Sequence, residues 1–303
     1  MTSDSLAAKV RELASRKGAL ILAHNYQIAE VQDVADFVGD SLELAKKAAE
    51  VRSDLILFCG VRFMAETAKI LSPDALVLEP DPNAGCPMAN MLNARQLQHL
   101  KDLHPDAVVV TYVNSSAEVK ALSDVCCTSG NALKVVAGIP ADKEIIFVPD
   151  KSLGAYVSGM LNRKLIFWDG YCPTHHRITP DAVRQARRDH PNAKVIVHPE
   201  CTPDVTAVAD EVASTAGILR YAISSTAKEF VIGTEIGLLH RLAIENPGKF
   251  FYPVTRFADC PNMKLNTLEK LLWSLEDMQY EVTVPANIAD KARTALNRML
   301  EYV

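Results

Sequence analysis

A Cys-Pro pair recurs three times in this chain, at Cys86-Pro87, Cys172-Pro173 and Cys260-Pro261, with spacings of 86 and 88 residues. Steps of 88 and then 86 lead from His24 to Tyr112 to His198, and from Ser41 to Ser129 to Thr215. Self-similarity at a fixed interval means that one supersecondary unit is used repeatedly. Each copy opens on a short apolar run (Leu20-Ile21-Leu22-Ala23, Val108-Val109-Val110, Val195-Ile196-Val197) that ends in polar groups, as a buried parallel strand does. A helical pattern follows each run, over 28–37, 117–125 and 205–213, and then a hydroxyl-bearing break and a second helix. Second strands read 54–58, 144–148 and 229–233; third strands read 75–78, 164–168 and 249–252. The Cys-Pro pair lies just past each third strand, and a linker helix (94–103, 181–190, 267–275) opens the next copy.

Strands that alternate with helices give parallel sheets covered on both faces. The chain therefore reads as α/β: three homologous α/β/α units, over 18–104, 105–191 and 192–277, around a pseudo-threefold axis with a central active site. A terminal helix over 1–17 and a closing strand and helix over 278–303 complete it. Apolar residues make up 49% and charged residues 23%, an ordinary globular balance, so the 303 residues can bury a sizeable core. Lys+Arg 32 against Asp+Glu 37 offers no basic face for nucleic acid. No apolar run approaches the roughly 18 residues of a membrane span, and Met1-Thr2-Ser3-Asp4-Ser5 has neither the basic lead nor the apolar stretch of a signal peptide. The expected setting is the cytoplasm, with no nucleic-acid or membrane partner. The seven cysteines are odd in number and widely spaced, which fits metal or catalysis better than a disulfide framework.

In open α/β sheets, ligands bind beyond the carboxyl ends of the strands, and the polar residues concentrate there. Packing three units around an axis brings three thiols together. No close cysteine pair of the kind that holds structural zinc is present. Three thiolates suit an iron–sulfur cluster with one iron left open, which acts as a Lewis acid. Cys59, Cys126, Cys127 and Cys201 lack the symmetry and read as buried apolar residues, although Cys201 is close enough in sequence to Glu200 to line the same cavity. Ser41, Ser129, Ser214 and Thr215 begin helices. Singly each reads as an N-cap; together they place helix N-termini near one axis, where anions bind. His24 with Tyr26, and His198 with Glu200, are spaced to point to one side of a strand, and with Tyr112 they supply acid–base groups. One of His175 and His176, just beyond Cys172, is placed to face a metal.

The set His24-Asn25-Tyr26-Gln27, Gly39-Asp40-Ser41, Tyr112-Val113-Asn114, Cys127-Thr128-Ser129-Gly130, His198-Pro199-Glu200-Cys201, Ser214-Thr215 and Asp259-Cys260-Pro261-Asn262-Met263 resembles quinolinate synthase, from about residue 18 to 275. The resemblance implies condensation of iminoaspartate with dihydroxyacetone phosphate, with loss of phosphate and two waters. It also implies a [4Fe-4S] cluster held by Cys86, Cys172 and Cys260, whose open iron binds substrate. By the same resemblance, Ser41, Ser129, Ser214 and Thr215 hold phosphate and carboxylates. Glu200 is the base for ketose–aldose isomerisation, Tyr26 and His198 move protons at oxygen, and Tyr112, Asn114 and His24 orient the intermediate. An aspartate oxidase or dehydrogenase is the implied source of iminoaspartate. Some relatives carry a regulatory CxxC before the last ligand; here Thr255-Arg256-Phe257-Ala258-Asp259-Cys260 has none, so that switch is expected to be absent.

Rival readings keep three cysteines on a pseudo-threefold α/β body: the isoprenoid-pathway reductive dehydratase and the diphthamide-forming radical enzyme. Both are expected to lack this set of His-x-Tyr, Tyr-x-Asn and His-Pro-Glu strand ends. A non-catalytic iron–sulfur sensor needs no ring of titratable residues, and a zinc hydrolase would hold zinc without sulfide.

Overall fold

In the computed structural model, which describes residues 3–51 and 53–302, the three copies appear as three parallel sheets of identical connectivity. The first contains β1 (Ala19–His24), β2 (Phe37–Gly39), β3 (Leu55–Cys59) and β4 (Leu76–Leu78) in the order β2-β1-β3-β4. The second contains β5 (Val108–Tyr112), β6 (Val125–Cys127), β7 (Ile145–Val148) and β8 (Ile166–Phe167) in the order β6-β5-β7-β8. The third contains β9 (Lys194–Val197), β10 (Glu211–Val212), β11 (Glu229–Gly233) and β12 (Phe250–Pro253) in the order β10-β9-β11-β12. The central strands read as unbroken apolar runs because both faces are covered: every residue of β3 and of β7 is buried.

Each sheet has one more strand than the sequence reading gives. The helical patterns over 28–37, 117–125 and 205–213 divide into short helices, Ala29–Val34, Ala117–Ala121 and Pro203–Thr206, and the edge strands β2, β6 and β10. Strands of two or three residues are too short to show a period. An aspartate fixes each of these edges. Asp36, Asp124 and Asp210 accept from the amides of Ile21, Val109 and Val195 through Oδ2 at 2.7–2.8 Å, and each returns its own amide to that residue's carbonyl. The three aspartates stand 88 and 86 residues apart.

The linker helices form as expected, over Ala94–Leu103, Pro180–Asp189 and Leu268–Asp277. Asn93, Thr179 and Thr267 cap them, each accepting the amide of the residue three further on. The terminal helix covers Ser3–Lys17 and packs on Leu268–Asp277. The expected closing strand is reduced to one antiparallel bridge, Leu78 with Glu281, ahead of a helix over Ala286–Leu300. That helix buries Ala289, Ala292, Leu296 and Met299 against elements of the first and second copies. Met1, Thr2 and Val303, which the expected terminal segments include, and Arg52 lie outside the described residues. Among the described residues no helix is long and apolar enough to cross a membrane.

Candidate active site

The carboxyl ends of the three sheets face one cleft of about 920 Å³, counted to its open mouth. Cys86, Cys172 and Cys260 line it with their prolines, one pair from each copy. His24, Tyr112 and His198 line it from the ends of β1, β5 and β9, and Tyr26, Asn114 and Glu200 line it from two residues further on. The repeat thus delivers rings of three. Ser41, Ser129 and Thr215 complete the wall; Ser214 stands outside it, its hydroxyl accepting the Gly217 amide as a helix cap.

The N-cap reading is correct for Ser214 alone. Asp40 caps the helix Ser41–Glu50, accepting the Leu42 and Glu43 amides while Glu43 reaches back to the Asp40 amide. This capping box leaves the Ser41 hydroxyl for the cleft. Asn131, not Ser129, precedes the helix Ala132–Ala137, and the Ser129 hydroxyl meets His198 Nε2 at 3.1 Å.

Hydrogen bonds set the protonation pattern. In both His-x-X turns the backbone amide two residues on donates to the histidine Nδ1, from Tyr26 to His24 at 3.1 Å and from Glu200 to His198 at 3.2 Å. Each ring therefore carries its proton on Nε2. Burial pushes both imidazoles down to about 3, so they are neutral donors near pH 7. Burial by itself raises the Glu200 carboxyl, but His175 Nδ1 at 2.6 Å, His198, and the Tyr112 hydroxyl at 2.6 Å outweigh it and hold the carboxyl at about 2. Burial and the Glu200 charge push both phenols, Tyr26 and Tyr112, well above their usual range.

These contacts join into one path. Tyr26 Oη lies 2.7 Å from Thr234 Oγ1, which lies 2.8 Å from His175 Nε2; His175 Nδ1 meets one oxygen of Glu200, and Tyr112 donates to the other. Two tyrosines of the cleft, one from the first copy and one from the second, are therefore linked through a threonine, a histidine and a carboxylate. Asn114 Oδ1 is buried without a protein partner, an acceptor left over for whatever enters. On the third side, Lys264 Nζ bridges Glu235 at 2.8 Å and the Tyr26 carbonyl at 2.6 Å, and Glu235 accepts the Cys260 amide. A Cβ at Gly237 would lie 2.8 Å from Glu235 Oε2 and 2.9 Å from the Tyr26 carbonyl carbon, so the close approach there requires glycine.

The donor chemistry fits a thiolate-held group. Three cysteines on stiff Cys-Pro loops share one cavity, and burial raises all three thiols, Cys86 to about 12. A bound cation reverses that and takes them as thiolates. Cys172, His175 and Glu200 also place one ligand atom each within 4.8 Å of one another. In that set, however, His175 and Glu200 already bond each other, with Thr234 and Tyr112 on their remaining atoms.

The model of the quinolinate synthetase A protein family matches residues 8–301. The chain belongs to that family. It is 54% identical over 303 residues to the quinolinate synthase of Dehalococcoides mccartyi (strain CBDB1), covering 100% of both chains. It is 52% identical over 300 residues to that of Methanosarcina barkeri (strain Fusaro), covering 99% of this chain and 98% of the relative. Against the enzyme of Thermodesulfovibrio yellowstonii it is 51% identical over 296 residues, covering 97% of each.

For this quinolinate synthase family member, the cleft decides between His175 and His176 and adds Glu235 to its wall, with Thr234 against His175 beside it. His175 is the member of its pair that faces Cys172; His176 turns away to Ser152 and stacks on Tyr171. Thr234 and Glu235 follow β11 in a run with no motif, and only the sheet register reveals them. Counting five residues on from Ile56, Ile145 and Phe230, which sit at matching places beside β1, β5 and β9, brings Val61, Asp150 and Glu235 to equivalent positions. Cys201 lies outside the cleft, its thiol directed to the Gly233 carbonyl, and Cys59, Cys126 and Cys127 are fully buried.

Asp150 is buried, with Oδ1 accepting the Ser152 and Leu153 amides and Oδ2 left without a partner. Burial and then the Glu200 charge raise its carboxyl well above the usual range. A raised folded-state pKa gives stability that is present below the unfolded value and is lost as pH rises. Asp150→Asn keeps an oxygen for the cap and removes this dependence. The variant should match wild type in Tm near pH 4 and exceed it by about 2–4 °C at pH 8. Equal melting curves at both pH values would show that Asp150 does not hold a proton.

Proposed function

We propose that the chain condenses iminoaspartate with dihydroxyacetone phosphate to form quinolinate, releasing phosphate and two waters. One observation carries this reading: three symmetry-related thiols and the acid–base path from Tyr26 to Tyr112 share a single cleft. The overall change is an isomerisation, a condensation and two dehydrations, which need proton transfers at carbon and oxygen and no net redox step.

Cys86, Cys172 and Cys260 would hold a [4Fe-4S] cluster, whose open iron supplies Lewis acidity to a substrate hydroxyl or carboxylate. The chain's own residues do the rest. Ser41, Ser129 and Thr215 present hydroxyls to the phosphate and carboxylates, with Ser214 holding the Thr215 helix start in place. His24 and His198 donate from Nε2. Glu200 takes a proton from carbon in the ketose–aldose step. Tyr112, which now bonds Glu200, turns to a substrate oxygen; losing that bond raises the basicity of the carboxylate when substrate is present. Tyr26 delivers a proton to a departing hydroxyl and is reprotonated through Thr234 and His175. Asn114 orients the intermediate through its unpartnered oxygen.

The test is anaerobic purification with iron and sulfide assay, then incubation with both substrates beside a Cys172→Ala control. About four irons per chain, with quinolinate formed by wild type only, is expected. A cluster without quinolinate would favour the rival three-cysteine chemistries. Zinc without sulfide would favour a single ion at Cys172, His175 and Glu200, the grouping that supports a hydrolytic reading.

A further inference from the structure

The substrates proposed for this cleft are anions, yet the groups that line it are mostly acidic or neutral. Asp40, Glu200 and Glu235 lie in the wall, and the neutral imidazoles of His24 and His198 add no charge. Each carboxylate is answered within the protein. Asp40 accepts helix amides, Glu200 faces His175, and Glu235 faces Lys264. Among the described residues, Arg177 is the one lysine or arginine in the wall, and it is exposed, so it stands at the rim.

Arg177 is held without an acidic partner, as Arg298 is elsewhere on the surface, but of the two only Arg177 lies in the cleft wall. Its side-chain bond is to a neutral oxygen, from Nη1 to the Asp259 carbonyl at 3.2 Å, and no described carboxylate lies within ion-pair distance of it. Asp259 directly precedes Cys260, and Arg177 follows the short helix Pro173–His176 that begins at Cys172. The guanidinium therefore spans two of the three Cys-Pro loops at the mouth, and its bond to a carbonyl leaves its charge uncompensated. A planar fork of this kind pairs with phosphate or carboxylate oxygens in bidentate fashion. A fixed charge at the mouth of a cleft also raises the rate at which anions enter.

We infer that Arg177 is the anion-docking residue of the cleft: it captures the phosphate of the incoming ketose phosphate and sets the preference of the site for charged over neutral ketoses. This rests on the substrate reading above. The bland alternative is that Arg177 only completes the helix end at His176 and steadies the Cys260 loop, a role that would not respond to substrate charge or salt.

The experiment compares anaerobic wild-type holoenzyme with Arg177→Met and Arg177→Lys, each assayed for iron, for steady-state kinetics in dihydroxyacetone phosphate at low and high ionic strength, and for equilibrium binding of inorganic phosphate. In Arg177→Met the KM should rise about tenfold at low salt with kcat within about twofold, the difference shrinking at high salt as the charge is screened. Arg177→Lys should recover most of the salt dependence and part of the affinity. Phosphate binding should weaken in step with KM. A fall in kcat at unchanged KM, loss of iron in either variant, or a KM change that ignores salt would each overturn the inference in favour of loop support. If wild type makes no quinolinate but phosphate binding still depends on Arg177, the substrate reading fails and the docking site stands. If wild type turns over and Arg177→Met is unaltered, the docking site fails and the substrate reading stands.

Discussion

Glu200→Gln will lower kcat for quinolinate formation by about 10³-fold, within the range a positioned general base contributes, while the protein folds and keeps its iron. Gln is close to isosteric, and its Oε1 still accepts from Tyr112 at the place where Glu200 does, 2.6 Å away in the wild type. Its amide nitrogen cannot accept the proton that His175 Nδ1 now gives to Oε2. The imidazole can respond by moving that proton to Nε2 and donating to Thr234, whose hydroxyl lies 2.8 Å away and then turns towards Tyr26. The hydrogen bonds survive and the base does not. The variant thus separates chemistry from architecture, which Glu200→Ala would not. Exchange of solvent hydrogen into dihydroxyacetone phosphate reports the isomerisation step by itself and should fall with kcat. Retention of kcat within tenfold of wild type, or loss of kcat with normal hydrogen exchange, would remove Glu200 from the role of base at carbon.

What the sequence made legible follows from the symmetry. Cys86, Cys172 and Cys260, and the ring of His24, Tyr112 and His198, recur at offsets that survive low identity between copies, so their convergence on one cleft could be read before any coordinates. Three kinds of feature were hidden. The edge strands β2, β6 and β10 have two or three residues each and are held by Asp36, Asp124 and Asp210, whose offsets match the repeat but whose side-chain bonds leave no hydropathy trace. Glu235 and Asp150 occupy equivalent places after β11 and β7, but the matching residue after β3 is Val61 and Thr234 matches Pro149, so residue type does not mark these positions and only pairing register aligns them. Arg177 enters the wall from a loop near the Cys-Pro pair, where the sequence offers no reason to prefer it over any other surface arginine. The hydroxyls were legible as helix starts but not in detail. Whether Ser41 or Asp40 does the capping depends on Glu43 reaching back, a choice settled by geometry.

Stability will fall in mild acid, and His24 and His198 will drive the fall against the opposing Asp150 carboxyl. Both rings are held neutral down to about 3 by burial, against 6.5 in an exposed chain. The charged groups around them do not rescue the imidazolium. Glu200 favours it for both, yet burial outweighs Glu200 at each ring, helped by Lys264 at His24 and by His175 at His198. Between pH 3 and 6.5 these two rings therefore bind about two more protons in the unfolded chain than in the native one, while the raised Asp150 carboxyl holds one more in the native chain above its unfolded value, so stability is present above 6.5 and, net, is lost as pH falls. Each such proton is worth about 1.4 kcal/mol per pH unit. Descending from pH 6.5 to 4.5 thus costs roughly 4–5 kcal/mol for the pair, comparable with the whole stability of many domains. Glu200, held at about 2 against 4.5, adds its own loss only below about pH 4.5. Urea unfolding from pH 7 to 4 should show the midpoint falling, and more steeply in Asp150→Asn; in that background His24→Gln should remove about half of the slope above pH 4.5, with His24→Gln/His198→Gln removing nearly all of it. A wild-type midpoint that stays flat from pH 6.5 to 5 would mean that one of these rings takes up a proton inside the folded cleft. In that case it could not serve as a neutral Nε2–H donor to substrate in that range.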